Sequence, residues 1–154
     1  MGRPGKLKEG RTLHFVTGGA YNGKTKWVKQ LYGLENDVLW LSGYRKEQPE
    51  LIDFQGKTVV LQGLDAWIQQ DAEKMDSDSI RKRWKEIMAD WRIWEKEKDE
   101  HKCIVIGSDI SKGIVPIEAK DRRWRDACGW VFQDVASISS RVDIIWYGIN
   151  QRIK

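Results

Sequence analysis

The stretch that most constrains this chain is Leu13-His14-Phe15-Val16-Thr17 followed by Gly18-Gly19-Ala20-Tyr21-Asn22-Gly23-Lys24-Thr25. A short apolar run, a glycine-rich turn and a helix-compatible segment follow one another, and the spacing G-x-x-x-x-G-K-[ST] is that of a phosphate-binding P-loop. Gly18 and Gly23 permit backbone angles that residues with a Cβ resist, so successive amide N–H groups can turn inward around a phosphate. The expected nucleotide-binding set is Gly18, Gly19, Ala20, Tyr21, Asn22, Gly23, Lys24 and Thr25. Lys24 brings a point charge to the β/γ-phosphates, and the Thr25 hydroxyl is a ligand for Mg²⁺. The following helix aims its positive end at the same phosphates. Trp27, Val28 and Leu31 fall on one face of it, and Gly33 is its expected stop.

Further apolar runs at 37–41, 58–61, 102–106 and 142–147 are short enough for buried strands. Helical spacing appears over 64–70 and over 121–139, and a long helix runs from an Asp76 N-cap to about residue 100. The stripe of that long helix is Ile80, Trp84, Ile87, Met88, Trp91 and Trp94, with a charged opposite face. Residues 42–57 read as a loop with one short turn, and residues 148–154 as a tail. Strands alternating with helices predict an α/β fold of P-loop NTPase type, three layers around a mainly parallel sheet. Residues 1–11 form a flexible basic arm in this reading and 12–154 a single nucleotide-binding domain. Ligands of such sheets sit at the carboxyl ends of the strands, which places the P-loop, residues 62–65 and residues 108–112 along one edge.

The charge balance is mild, 27 Lys+Arg against 23 Asp+Glu. It suits an anionic small molecule without demanding a nucleic-acid partner. Nine Trp residues are present, and most follow helical core spacing rather than interleaving with basic residues as a stacking platform does. Cys103 and Cys128 lie in separate apolar segments with no C-x-x-C, as small buried hydrophobes of a reduced compartment do. Residues 1–11 lack the apolar core of a signal peptide, Lys6 stands where a myristoylation signal has Ser or Thr, and no run reaches membrane-spanning length. The expected location is the cytoplasm.

Three segments resemble one known family, the bifunctional adenosylcobinamide kinase / adenosylcobinamide-phosphate guanylyltransferases of cobalamin biosynthesis. Val16 to Thr25 is similar to the family's V-T-G-G-x-R-S-G-K-S. Thr58-Val59-Val60-Leu61-Gln62-Gly63-Leu64-Asp65-Ala66-Trp67 resembles its strand-plus-helix L-L-L-[DE]-C-L-T-x-W. Gly113-Ile114-Val115-Pro116, then Arg122-Arg123-Trp124-Arg125-Asp126 with Gly129, look like its G-I-V-P and R-x-F-R-D-x-x-G. The resemblance implies phosphoryl transfer from ATP or GTP to the aminopropanol hydroxyl of adenosylcobinamide, then transfer of GMP through a guanylylated histidine. It also implies a corrinoid partner and a homotrimer.

Two departures bear on activity. The family carries its acceptor His on a helix after the second strand, whereas residues 42–57 hold none, and the only histidines are His14, inside the first strand, and His101, which reads as exposed. The expectation is a kinase that lacks the guanylyltransferase half. The family acid at the end of the third strand is Gln62 here, so the Mg²⁺ shell falls to Thr25 with Asp109 first and Asp65 second. Lys24 and Asp109 are the expected catalytic residues, Asp109 taking or orienting the acceptor proton. Lys112, Arg122 and Arg125 are candidate substrate contacts. Two other classes stay open: a degenerate P-loop module that binds nucleotide without turnover, and a phage- or replication-type P-loop ATPase acting with nucleic acid.

Overall fold

Phe15 and Val16 are adjacent and both buried, yet they belong to different cores. They sit on strand β1 (His14–Thr17), where successive side chains point to opposite faces, so a strand with apolar residues at consecutive positions must be covered on both sides. Strands β3 (Thr58–Gln62) and β4 (Lys102–Ile106) repeat the pattern, with Val59, Leu61, Cys103 and Val105 on one face and Val60, Ile104 and Ile106 on the other. The structure is a computed structural model that describes residues 13–33, 38–50, 56–110 and 117–154. The expected arm at 1–11, Lys112 and the Gly113-Ile114-Val115-Pro116 segment lie outside the described residues.

With β2 (Val38–Ser42), β5 (Arg141–Trp146) and β6 (Ile149–Arg152), the strands form one six-stranded sheet in the order β2-β3-β4-β1-β5-β6. All neighbours run parallel except β5 and β6, which form an antiparallel hairpin. The fold is α/β, of P-loop NTPase type. Helix α1 (Lys24–Tyr32) covers the smaller core through Val28, Trp27 and Tyr32. Helices α2 (Leu64–Ala72), α3 (Ser77–Glu97) and α4 (Ala119–Ile138) cover the larger one.

The Asp76 carboxylate caps α3 by accepting from Ser79 N at 2.7 Å, and Gly33 closes α1 in the left-handed conformation. Trp84 and Trp91 of the α3 stripe are fully buried, and Trp84 lies between Trp67, to which it is tilted, and Trp91, which it meets edge-on, both at centroid distances of 6.0 Å.

Four expectations need correction. Leu31 is largely exposed, because the turn of α1 brings Tyr32 rather than Leu31 onto the sheet. β2 is an edge strand, half-buried rather than enclosed, since β3 pairs with one side of it only. The supposed tail 148–154 contains β6, turned back by Tyr147 and Gly148, both in the left-handed region at φ 51 and 76. His101 is buried: its ring stacks on Trp94 at 4.1 Å and Nδ1 lies 2.6 Å from the Trp94 carbonyl.

Candidate functional site

The turn between β1 and α1 is held from three sides. Gly18 has φ 138, and a Cβ there would stand 2.5 Å from the Ile145 carbonyl oxygen of β5. Asp109 N donates to Gly18 O at 2.9 Å, tying the turn to the segment after β4. Gly148 N donates to Asn22 O at 2.8 Å, so the β5–β6 hairpin braces the far side. Gly23 enters α1 at φ 84, and the fully exposed Tyr21 holds a left-handed φ of 62. Lys24 Nζ donates to Gly19 O at 2.8 Å, across the mouth of its own loop. Burial, opposed by the charge of Asp65, holds the Lys24 ammonium below its ordinary pKa.

The carboxyl ends of β3 and β4 close the other wall. Gln62 Nε2 donates to Thr25 Oγ1 at 2.8 Å. Asp65, at the start of α2 and almost fully buried, accepts from Ser108 N at 2.9 Å through Oδ1. The Tyr44 hydroxyl donates to the same carboxylate at 3.1 Å and 3.0 Å to Oδ1 and Oδ2. The Asp65 carbonyl accepts from Trp124 Nε1 at 2.8 Å, which fixes this turn against α4. Burial is the main force on the Tyr44 phenol, and with Asp65 beside it pushes the pKa up to about 12.

These groups enclose a cavity of about 520 Å³ whose lining includes Ala20, Tyr21, Lys24, Thr25, Gln62 and Asp109, with Tyr44, Asp65 and Ser108 completing the wall. The structure thus brings together Lys24, Thr25, Asp65 and Asp109. It leaves Arg122 and Arg125 out of that lining: Arg122 Nη1 donates to the Ile117 carbonyl, and Arg125 Nη2 reaches Asp126 Oδ1 at 3.5 Å. Both histidines are also elsewhere. A second cavity, of about 550 Å³, opens beside the amino ends of β1, β4 and β5 and is lined by His14, His101 and Arg141 among others, with no P-loop residue. Tyr44 is the residue the sequence reading missed. Its partner lies 21 positions away, and only the parallel register of β2 with β3 brings the two together.

Magnesium is bound in such sites through one or two carboxylates, phosphate oxygens and waters rather than by an all-protein cage. The described residues contain no cluster of three His, Cys, Asp or Glu able to hold a metal by themselves. The oxygen donors of Thr25, Gln62 and Asp109 in one pocket fit that hard-cation pattern. Asp65 fits it less well, since both carboxylate oxygens already accept hydrogen bonds from the protein. Among the described residues no helix is long and apolar enough to cross a membrane.

The family model described as cobinamide kinase / cobinamide phosphate guanyltransferase covers residues 44–153, well over half of the chain. That span holds Gln62, Asp65 and Asp109, whereas the glycine-rich loop lies before it and stands on its own spacing and geometry. No curated protein matches the chain.

Proposed function

Because the chain belongs to the cobinamide kinase / cobinamide phosphate guanyltransferase family, we propose that it performs the kinase reaction alone. The γ-phosphoryl group of ATP or GTP passes to the aminopropanol hydroxyl of a cobinamide, giving the phosphate ester and a nucleoside diphosphate. The observation that carries this reading is the composition of one cavity: Lys24, Thr25 and Asp109 line it and neither histidine does. The loop amides and Lys24 hold the donor phosphates, and in-line transfer then depends on positioning and charge neutralisation more than on covalent help. Thr25 and Asp109 would hold Mg²⁺, which when bound neutralises charge on the β- and γ-phosphate oxygens.

A guanylylated intermediate needs an accessible nucleophilic histidine, and the chain has only two. His14 Nε2 lies 2.6 Å from Asp143 and Nδ1 2.5 Å from the Tyr32 hydroxyl, while His101 is stacked on Trp94. A second reading, nucleotide binding without turnover, is favoured by Gln62, which supplies an amide where a metal-site acid is expected.

The deciding experiment incubates the protein with γ-labelled ATP or GTP, Mg²⁺ and adenosylcobinamide. Labelled adenosylcobinamide phosphate, with no GDP-linked product from GTP, is the expected result. A GMP adduct on His14 or His101, found by mass spectrometry, would overturn the loss of the guanylyltransferase step. Nucleotide binding with no labelled corrinoid would leave the non-catalytic module standing.

A further inference from the structure

Tyr44 is fixed in the pocket wall from several directions. It belongs to the short 3₁₀ turn Gly43–Arg45 after β2, and the Gly43 carbonyl accepts from Gln70 Nε2 of α2 at 2.9 Å. Its ring lies against Gly63, where an added Cβ would stand 2.9 Å from Tyr44 Cε2. The phenol proton is directed inward, to Asp65. A phenol oxygen whose proton is held from behind by a carboxylate presents acceptor capacity to whatever enters in front of it.

We propose that Tyr44 receives the acceptor substrate, its phenol oxygen accepting a hydrogen bond from an alcohol O–H, with Asp65 as the positioning residue that keeps the phenol proton turned away. This rests on the kinase reading, which already names an alcohol acceptor, and adds the residue that receives its hydroxyl. Asp65 and Asp109 both line the cavity, so an anionic acceptor such as a nucleoside monophosphate meets two carboxylates, whereas a neutral alcohol offers the proton this arrangement lacks. As the alcohol oxygen bonds to the γ-phosphorus and the bond from that phosphorus to the β–γ bridging oxygen breaks, the alcohol proton passes to Tyr44 and the Tyr44 proton to Asp65. The phosphate ester and nucleoside diphosphate leave, and the proton returns to solvent.

The test compares wild-type protein with Tyr44→Phe and Asp65→Asn in γ-phosphoryl transfer to adenosylcobinamide, alongside affinity for a fluorescent nucleotide analogue and thermal melting. Tyr44→Phe keeps the ring over Gly63. It is expected to hold nucleotide affinity within about twofold while kcat/KM for the corrinoid falls by about 100-fold, the scale of a lost general acid–base group. Asp65→Asn keeps an oxygen for Ser108 N but turns an amide donor toward the phenol, reversing its polarity, and loses transfer to a similar extent. Wild-type transfer rates in Tyr44→Phe would overturn the proposal and leave the kinase reading intact. So would a parallel loss of melting temperature and nucleotide affinity, which marks a structural prop, or faster transfer to a nucleoside monophosphate than to an alcohol. Wild-type protein that transfers nothing removes the kinase reading and this proposal together.

Discussion

Gln62 Nε2 donates to Thr25 Oγ1 at 2.8 Å, so the end of β3 holds the hydroxyl expected to face the metal. A hydrogen bond to a ligand atom fixes its orientation, and loss of such partners commonly costs 10- to 100-fold in metal affinity or activity. The amide does the orienting without charge. Gln62→Ala is therefore expected to weaken the Mg²⁺ dependence of nucleotide binding by about tenfold. Gln62→Glu, adding a carboxylate at the same reach, is expected to strengthen it. Titration of Mg²⁺ against nucleotide fluorescence reads both, and unchanged curves in both variants would deny Gln62 any part in the site.

Lys24 folds back onto Gly19 O at 2.8 Å in a pocket that already disfavours its charge. A phosphate in the loop gives the ammonium a better partner than a single carbonyl. Lys24→Ala is expected to lower phosphoryl transfer by about two to three orders of magnitude, the range seen for removal of a donor to transition-state charge. The fold is expected to persist, because among the described residues the hydrogen bond of this side chain stays within its own loop. Near wild-type turnover in this variant would place the chemistry elsewhere.

What could be foreseen was what depends on near neighbours in sequence. The Lys102–Ile106 strand, the Asp76 cap and the α3 Trp stripe each follow from a local period or a single side chain. What could not be foreseen depends on contacts across the fold. His101 follows a charged run and reads as exposed, but the helix end brings it onto Trp94. β6 has a single apolar residue, Ile149, and its one local signal was Gly148 in a turn whose other central residue, Tyr147, gives no glycine-type cue. Tyr44 falls in a segment that reads only as a loop, and its place in the wall depends on the pairing of β2 with β3. Asp65, expected as the second Mg²⁺ carboxylate, accepts instead from Ser108 N and the Tyr44 hydroxyl, neither of them near it in sequence.

His14 and Asp143 form a buried pair whose two pKa shifts push stability in the same direction. Burial lowers the pKa of His14, opposed but not outweighed by the hydrogen bond to Asp143, so the folded protein holds a neutral imidazole. Burial works against ionisation at Asp143, but hydrogen bonds from Arg141, Asn150 and His14 prevail and keep its pKa below the ordinary value. Nε2–H then donates to Asp143 and Nδ1 accepts from the Tyr32 hydroxyl. In the unfolded chain His14 binds its proton from 6.5 downward, so its contribution is full above that pH and declines as pH falls toward the lower folded value. Asp143 adds a second loss, below its ordinary 3.8, as pH falls through its folded pKa. The urea midpoint is expected to fall between about pH 7 and pH 5, and His14→Gln to flatten that first decline. A wild-type midpoint constant from about pH 8 to pH 5 would contradict this.

Trp84 separates two meanings of the α3 stripe. If the tryptophans serve a subunit contact, truncating one costs the monomer little, within about 0.5 kcal/mol for a surface site. In the structure Trp84 has no exposed surface, sits between two other indoles, and donates from Nε1 to Asp71 Oδ2 at 2.8 Å. Trp84→Ala removes the largest side chain at the centre of the larger core and strips one donor from Asp71. The expected loss is about 4 kcal/mol, a large share of the stability of a domain this size. Trp84→Phe keeps most of the ring volume and loses the hydrogen bond, and is expected to cost about 1–2 kcal/mol. Urea denaturation of both variants measures the ordering. An alanine variant as stable as the phenylalanine one would return the stripe to the surface.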